Sequence, residues 1–193
     1  MPTQDTSGAV DLEQQFTEIV EQYSDLAYSV AFRMLRNAED AEDAVQEAYI
    51  SAFKALPNFK GQSKLSTWLY RIVTNACLMK IRKEKSRAKY ISENLFDDAL
   101  VYDWKNDPEE AAVNSELRST LEGGLEILSP DLRAAVVLRD IQGLSTEEAA
   151  EALDISIASL KSRLHRARII LRRHLEGYSA LSLLPAAETE SGD

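Results

Sequence analysis

Residues 59–89 read FKGQSKLSTWLYRIVTNACLMKIRKEKSRAK, and the rest of the chain is organised around this basic stretch. Residues 54–89 carry ten Lys or Arg side chains and one acid, a net charge of +9, whereas the whole 193-residue chain has a net charge of −10. Such a steep charge split predicts that one surface binds a polyanion and that another does not.

The pattern inside this stretch predicts a loop followed by a helix. Gly61 can adopt positive φ within the loop 59–63, and Ser66 or Thr67 can cap the helix that follows. Apolar residues at helical spacing predict its buried face: Leu69, Ile72, Val73 and Ala76. Aromatic, amide and cationic side chains fall largely off that face: Trp68, Tyr70, Arg71, Asn75 and Lys80.

Aromatic rings and cations on one helix suit single-stranded nucleic acid, because each stacked base contributes about 1–3 kcal/mol and cations follow the phosphates. The alternative is that Trp68 and Tyr70 are ordinary core aromatics and that the Lys/Arg run is a solvated helix end.

Composition limits the class of protein. With few glycines and prolines and few alternating β-branched runs, the chain is predicted to be all-α, in two small helical domains joined by a flexible acidic linker. The single cysteine, Cys77, lies mid-helix and is predicted to be a buried apolar residue. No apolar run has the length of a membrane span and no signal peptide is evident, so we expect a cytoplasmic protein without membrane insertion.

The segment before the basic stretch predicts two helices. Residues 1–10 are expected to be disordered, and a helical period runs from Leu12 to Leu35. Asn37 can cap a second helix, with an alanine-rich inner face and acids in its first turn. Its outer face carries Asp40, Asp43, Gln46 and Glu47. Taken alone, such an acidic face is usually just solvated.

The segment after the basic stretch predicts a linker and a second domain. Residues 90–113 are acidic and weakly periodic, and fully extended they could reach up to about 80 Å. A second domain is predicted over 114–176, and the tail 177–193 has no assignable role.

Helix start and stop signals in the second domain predict a helix-turn-helix. Ser129-Pro130 begins one helix, Gly143 ends it, and Ser145 with Glu148 forms a capping box. After a turn at 154–156, a helix from Ile157 to Glu176 buries the face of Leu160, Leu164, Ala167 and Leu171. Groove-facing candidates lie on or beside the opposite face: Ala158, Ser159, Lys161, Ser162, Arg163, His165 and Arg166. The alternative is a helical hairpin with a basic solvated face.

No enzyme is indicated. The chain has no glycine-rich phosphate loop, nucleophile elbow or Cys/His cluster, and His165 and His174 do not share a helix face well enough for a metal pair. We therefore expect no cofactor and no metal.

Two long segments resemble regions 2 and 4 of bacterial sigma factors. They are DAEDAVQEAYISAFKALPNFKGQSKLSTWLYRIVTNACLMKIRK and LSPDLRAAVVLRDIQGLSTEEAAEALDISIASLKSRLHRARIILRRHL. The extracytoplasmic-function (ECF) group fits best, since only these two regions and a linker are present over about residues 14–176.

The resemblance implies a non-catalytic subunit that binds core RNA polymerase and directs it to promoters. Region 2 (11–89) would place Asp40, Asp43, Gln46 and Glu47 on the clamp of the largest subunit, and region 4 would contact the flap of the second-largest subunit. An anti-sigma factor would hold the free protein.

The resemblance also implies how promoter DNA is read. The melted minus-ten strand would be bound by Phe59, Lys60, Gly61, Gln62, Ser63, Lys64, Trp68, Arg71, Asn75, Lys80, Arg82 and Lys83, with one base flipped into a pocket. The helix-turn-helix would read the minus-thirty-five duplex. Ala158-Ser159 stands where the family commonly has Gly-Thr, which leaves the promoter sequence open, along with the regulon, the inducing signal and the anti-sigma partner.

Two other functions remain open on the residues alone. One is a helix-turn-helix regulator that binds duplex DNA without polymerase, although it leaves 59–89 unexplained. The other is an adaptor of two helical bundles that binds no DNA.

Overall fold

The computed structural model describes residues 6–94 and 123–182, with the side chains of 12–87 and 123–176. All regular structure in these residues is helical, which confirms the all-α prediction. The helices are α1 (Thr6–Leu35), α2 (Ala38–Ala55), α3 (Leu65–Asn94), α4 (Pro130–Val136), α5 (Thr146–Ala152) and α6 (Ile157–Ser182).

Helices α1, α2 and α3 pack as an N-terminal bundle. The Oδ1 of Asn37 accepts a hydrogen bond from the Asp40 N–H at 2.9 Å, which confirms the predicted cap of α2. The buried residues of α2 are all alanines, Ala41, Ala44, Ala48 and Ala52, while Val45 and Tyr49 pack against the core partly buried. The facing core is made by larger residues of α1 and α3: Val30, Met34, Leu69, Val73 and Cys77.

The C-terminal unit is the predicted helix-turn-helix. Helix α4 continues as a π turn over Val137–Ile141, and Gly143 follows with φ +74°. In the capping box, Ser145 Oγ accepts from the Glu148 N–H at 3.1 Å while Glu148 Oε2 accepts from the Ser145 N–H at 2.9 Å. Asp154 takes φ +54° in the turn before α6. On the inner face of α6, Leu160, Leu164 and Ala167 are buried as predicted, while Leu171 is half-buried.

A short helical segment at 123–126 lies close to α6. A Cβ at Gly124 would stand 2.9 Å from Leu171 Cδ2, so a larger residue there would require the Leu171 side chain to move. Gly124 therefore allows this segment to pack closely on α6.

Several predicted boundaries differ from the structure. Residues 6–10 belong to α1 rather than to a disordered terminus, and residues 1–5 lie outside the described residues. Helix α3 begins at Leu65, so Ser66 and Thr67 are inside it, and it extends to Asn94 through the first residues of the predicted linker. Linker residues 95–113 lie outside the described range. Ser129 precedes α4, but its side chain makes no capping hydrogen bond.

Candidate nucleic-acid interface

An aromatic pair marks the start of the basic surface. The Phe59 and Trp68 rings lie with centroids 5.0 Å apart and planes inclined by 39°, so Phe59 is half-buried rather than exposed. Gly61 has φ +66°, which makes a tight loop possible and leaves Lys60, Gly61 and Gln62 exposed. The loop, in which Ser63 is half-buried, thus lies beside a pair of aromatic rings of the kind on which bases stack.

Cations and an amide continue this surface along α3. Arg71, Asn75 and Arg82 are exposed, and at about 100° per residue they fall within about 40° of one another on the helix. Lys83 is also exposed, about 100° further round the helix from Arg82. We use the name strand-reading face for the loop 60–63 with Lys64, the rings of Phe59 and Trp68, and the side of α3 that carries Arg71, Asn75, Arg82 and Lys83.

Lys80 does not lie on that face. Its Nζ lies 2.7 Å from Asp40 Oδ1 and 3.1 Å from Asp43 Oδ2, between α3 and α2. Burial disfavours the ammonium form, but the hydrogen bonds and charges of the two aspartates outweigh burial and raise the Lys80 pKa. Lys80 is about 140° from Asn75 around the helix. The structure therefore pairs a residue predicted for DNA with two residues predicted for polymerase.

Tyr70 is buried, with 6% of its surface exposed, although the sequence placed it off the buried face. Its hydroxyl donates to Gln142 Oε1 at 3.4 Å, and burial raises its pKa. The reason is a second packing partner for α3: the C-terminal unit covers this side of the helix.

Two cations of the strand-reading face are paired with acids of the C-terminal unit. Lys64 Nζ lies 2.7 Å from Glu148 Oε1, and Arg71 Nη2 lies 3.4 Å from Asp154 Oδ2. The hydrogen bond from Lys64, with those of the capping box, lowers the pKa of Glu148 to about 2. No local sequence signal pointed to this pairing.

The outer face of α2 is acidic and partly apolar. Asp43, Gln46 and Glu47 are exposed as predicted, and Ile50, on the same face, is 53% exposed. Phe53 is 37% exposed, and its ring packs edge-on against Phe16 with the ring centroids 5.1 Å apart. A helical wheel centred on Asp43 and Glu47 would have found Ile50.

The exposed side of α6 carries most of the predicted groove-facing residues. Ala158, Lys161, Ser162, His165 and Arg166 are exposed. Ser159 is half-buried, and its N–H donates to Ser156 Oγ at 3.2 Å.

Two arginines of α6 are engaged with acids of the preceding helical segment. Arg163 Nη1 lies 3.7 Å from Asp131 Oδ1, and Arg168 donates to both Asp140 carboxylate oxygens, at 3.1 and 2.7 Å. These pairs hold α6 against α4 and the π turn that continues it. Arg163 therefore has a structural partner, besides the DNA contact that was predicted for it.

Other kinds of site are not indicated within the described ranges. No group of three or more His, Cys, Asp or Glu side chains there could hold a metal ion. No helix in the same ranges is long and apolar enough to cross a lipid bilayer.

Comparison with known proteins agrees with the two-unit arrangement. The family model described as Sigma-70 region 2 matches residues 19–87, and the model described as Sigma-70, region 4 matches residues 120–171. The ECF RNA polymerase sigma factor SigW of Bacillus subtilis is 38% identical over 166 residues, which cover 83% of this chain and 88% of SigW. The ECF RNA polymerase sigma-E factor of Escherichia coli K12 is 34% identical over 161 residues, covering 81% and 84% of the two chains.

One solved structure resembles the whole arrangement. It is the sigma factor RpoE in complex with the anti-sigma factor NepR from Bartonella quintana, with a TM-score of 0.67 and 25% identity, covering 84% of this chain and 98% of that one.

Proposed function

The chain belongs to the ECF group of bacterial sigma factors, and on that premise we propose which surface meets which partner. Residues 11–89 act as region 2, residues 90–113 as linker and residues 114–176 as region 4. The protein binds core RNA polymerase in the cytoplasm, recognises promoter DNA through both regions, and starts transcription without catalysing a reaction itself.

The strand-reading face takes the melted minus-ten strand. What supports this is the combination of the Phe59–Trp68 pair, the loop at Gly61 and the exposed Arg71 and Asn75 on one side of the molecule. Flipping a base costs a few kcal/mol, which stacking on the aromatic pair and hydrogen bonds to Asn75 offset. The remaining members of the face, Lys60 to Lys64, Arg82 and Lys83, hold the phosphates.

Helix α6 takes the minus-thirty-five duplex. Its small residues Ala158 and Ser162 permit close approach to the major groove, while Lys161, His165 and Arg166 reach bases or phosphates. The two promoter elements lie about two duplex turns apart, on the order of 70 Å, so the linker must extend when both are bound.

The outer face of α2 takes the polymerase clamp. Asp43, Gln46 and Glu47 surround the exposed Ile50, and an apolar residue with a polar rim is the usual anatomy of a protein interface. Region 4 contacts the flap of the second-largest subunit. An anti-sigma factor holds the free protein, as NepR does in the complex with RpoE.

Run-off transcription tests the proposal. Purified core polymerase of the source organism is supplied with sheared genomic DNA and with the wild-type chain, or with the double variant Phe59→Ala, Asn75→Ala. A matched control changes two exposed residues of α1, Glu21→Ala and Ser24→Ala. We expect discrete transcripts from the wild type and the control, and their loss from the double variant.

Other outcomes separate the alternatives. A chain that binds duplex DNA specifically but does not comigrate with core polymerase on a sizing column would be an ordinary helix-turn-helix regulator. Transcripts that persist in the double variant would contradict the assignment of the strand-reading face and leave the sigma function intact.

A further inference from the structure

The C-terminal unit lies against the N-terminal bundle through polar contacts. Besides the Lys64–Glu148 and Arg71–Asp154 ion pairs, the Gln142 amide donates to Ser29 Oγ at 3.0 Å. Residue 142 lies between α4 and α5, and Ser29 lies on α1. The contact therefore involves α1 and α3 on one side and the first half of the helix-turn-helix on the other.

A half-buried arginine completes this contact. Arg133 of α4 donates through Nη1 to the carbonyl oxygen of Met34 at 2.7 Å, near the end of α1. Its Nε donates to the carbonyl oxygen of Leu125 at 2.8 Å. Because carbonyls in the last turn of a helix have no partner within the helix, one guanidinium satisfies the end of α1 and the 123–126 segment together.

The acids in this contact pair with cations that contact DNA in the proposed complex, and so take the place of phosphates. Glu148 and Asp154 neutralise two cations of the strand-reading face, while Lys161, His165 and Arg166 on α6 remain exposed. The contact thus neutralises two cations of the strand-reading face, whose loop residues 60–62, Asn75 and Arg82 stay exposed, and leaves the surface for the duplex accessible.

We propose that the helix-turn-helix unit is an intramolecular ligand of the strand-reading face, and that it competes with the melted promoter strand for Lys64 and Arg71. This inference rests on the proposed function of that face. It makes the free chain a weak binder of single strands and makes separation of the two units a step before the minus-ten strand is captured.

The contact is reversible by construction. Lys64, Arg71 and Asp154 are exposed in their ion pairs, and exposed pairs are individually weak and screened by salt. Polymerase can therefore separate the two units by binding each of them at a different subunit.

The test removes the two acid charges without disturbing the local backbone. Glu148→Gln keeps the hydrogen bond that the capping box requires, and Asp154→Asn keeps a residue type that tolerates positive φ. The control is Glu147→Gln, Glu151→Gln on the same helix, which changes the net charge equally at two exposed positions.

Two measurements on the full chain decide the matter. Small-angle X-ray scattering at low salt gives the radius of gyration, and fluorescence anisotropy gives the affinity for a fluorescein-labelled oligothymidylate. We expect the Glu148→Gln, Asp154→Asn variant to expand and to bind the oligonucleotide about fivefold more tightly than the control variant, the size that weak exposed pairs permit.

Three results would overturn the inference: no expansion, expansion without tighter binding, or equally tighter binding by the control variant. The proposed function is judged separately by the run-off assay. If the Glu148→Gln, Asp154→Asn variant expands and binds the oligonucleotide more tightly but no chain binds polymerase, the intramolecular contact is supported and the sigma function is contradicted. If the run-off assay gives the expected transcripts but the Glu148→Gln, Asp154→Asn variant and its control both behave as the wild type in scattering and anisotropy, the sigma function is supported and the intramolecular contact is contradicted.

Discussion

The Arg133 guanidinium and the Met34 carbonyl are joined by a 2.7 Å hydrogen bond, although the two residues are 99 positions apart in the chain. Arg133 also donates to the carbonyls of Leu125, Glu126 and Leu128. It is thus a cap shared by two chain segments, the end of α1 and residues 125–128.

Arg133→Met should therefore destabilise the protein. The substitution leaves part-buried carbonyls without a donor, at about 1–3 kcal/mol for each group that water cannot reach, so we expect a loss of about 2 kcal/mol or more. Urea unfolding followed by circular dichroism measures it. The control is Arg173→Met, an exposed position on α6, for which an unchanged midpoint is expected. Equal midpoints for both variants would contradict the capping role.

Lys80 should matter for the bundle rather than for DNA. Lys80→Met removes the counter-ion of Asp40 and Asp43, and because these groups are partly exposed the expected loss in stability is about 1 kcal/mol or less. Affinity for oligothymidylate should stay at the wild-type value, whereas Arg82→Met should weaken it. A fall in affinity for Lys80→Met as large as that for Arg82→Met would restore Lys80 to the strand-reading face.

Cys77 should be inert in the folded chain. It is fully buried, and burial raises its thiol pKa from 9.0 to about 12. A pKa higher by about three units lowers the thiolate fraction at pH 8 by roughly a thousandfold. We expect a disulfide reagent to label the urea-unfolded chain rapidly and the native chain at the rate of unfolding or slower. Rapid labelling of native protein would contradict this and indicate a redox-sensitive thiol.

The Glu148 carboxylate should contribute stability in a defined pH range. Its folded pKa of about 2 lies below the ordinary value of 4.5, so its contribution is fully present above pH 4.5 and is lost as the pH falls toward about 2. The difference in urea midpoint between wild type and Glu148→Gln should then be constant from pH 7 to pH 5 and shrink at pH 3. A difference that does not change with pH would mean that the charge contributes nothing beyond the cap.

Local sequence signals predicted most of the fold because the physics of those signals is local. The Asn37 cap, the Ser145–Glu148 capping box and the positive φ at Gly61 depend on neighbouring residues only, and all three are confirmed. The buried face of α6 followed from its period alone.

The strand-reading face was only partly predictable. Lys80 was assigned to it because it lies off the predicted buried face of α3, whereas its angular position on α3 directs it to Asp40. The burial of Tyr70 and the pairing of Lys64 with Glu148 depend on segments far away in the chain, and no local pattern encodes such contacts.

The buried residues of α2 are four alanines, each with 3% or less of its surface exposed. A larger side chain at any of them would push the neighbouring helices apart, so we expect these four positions to resist substitution. Gln46, Glu47 and Ile50, on the outer face of the same helix, are exposed and carry no such packing constraint. The exposed residues of α2 can therefore differ between related chains while its packing against α1 and α3 stays the same. Specificity for a partner can then evolve without a change of fold.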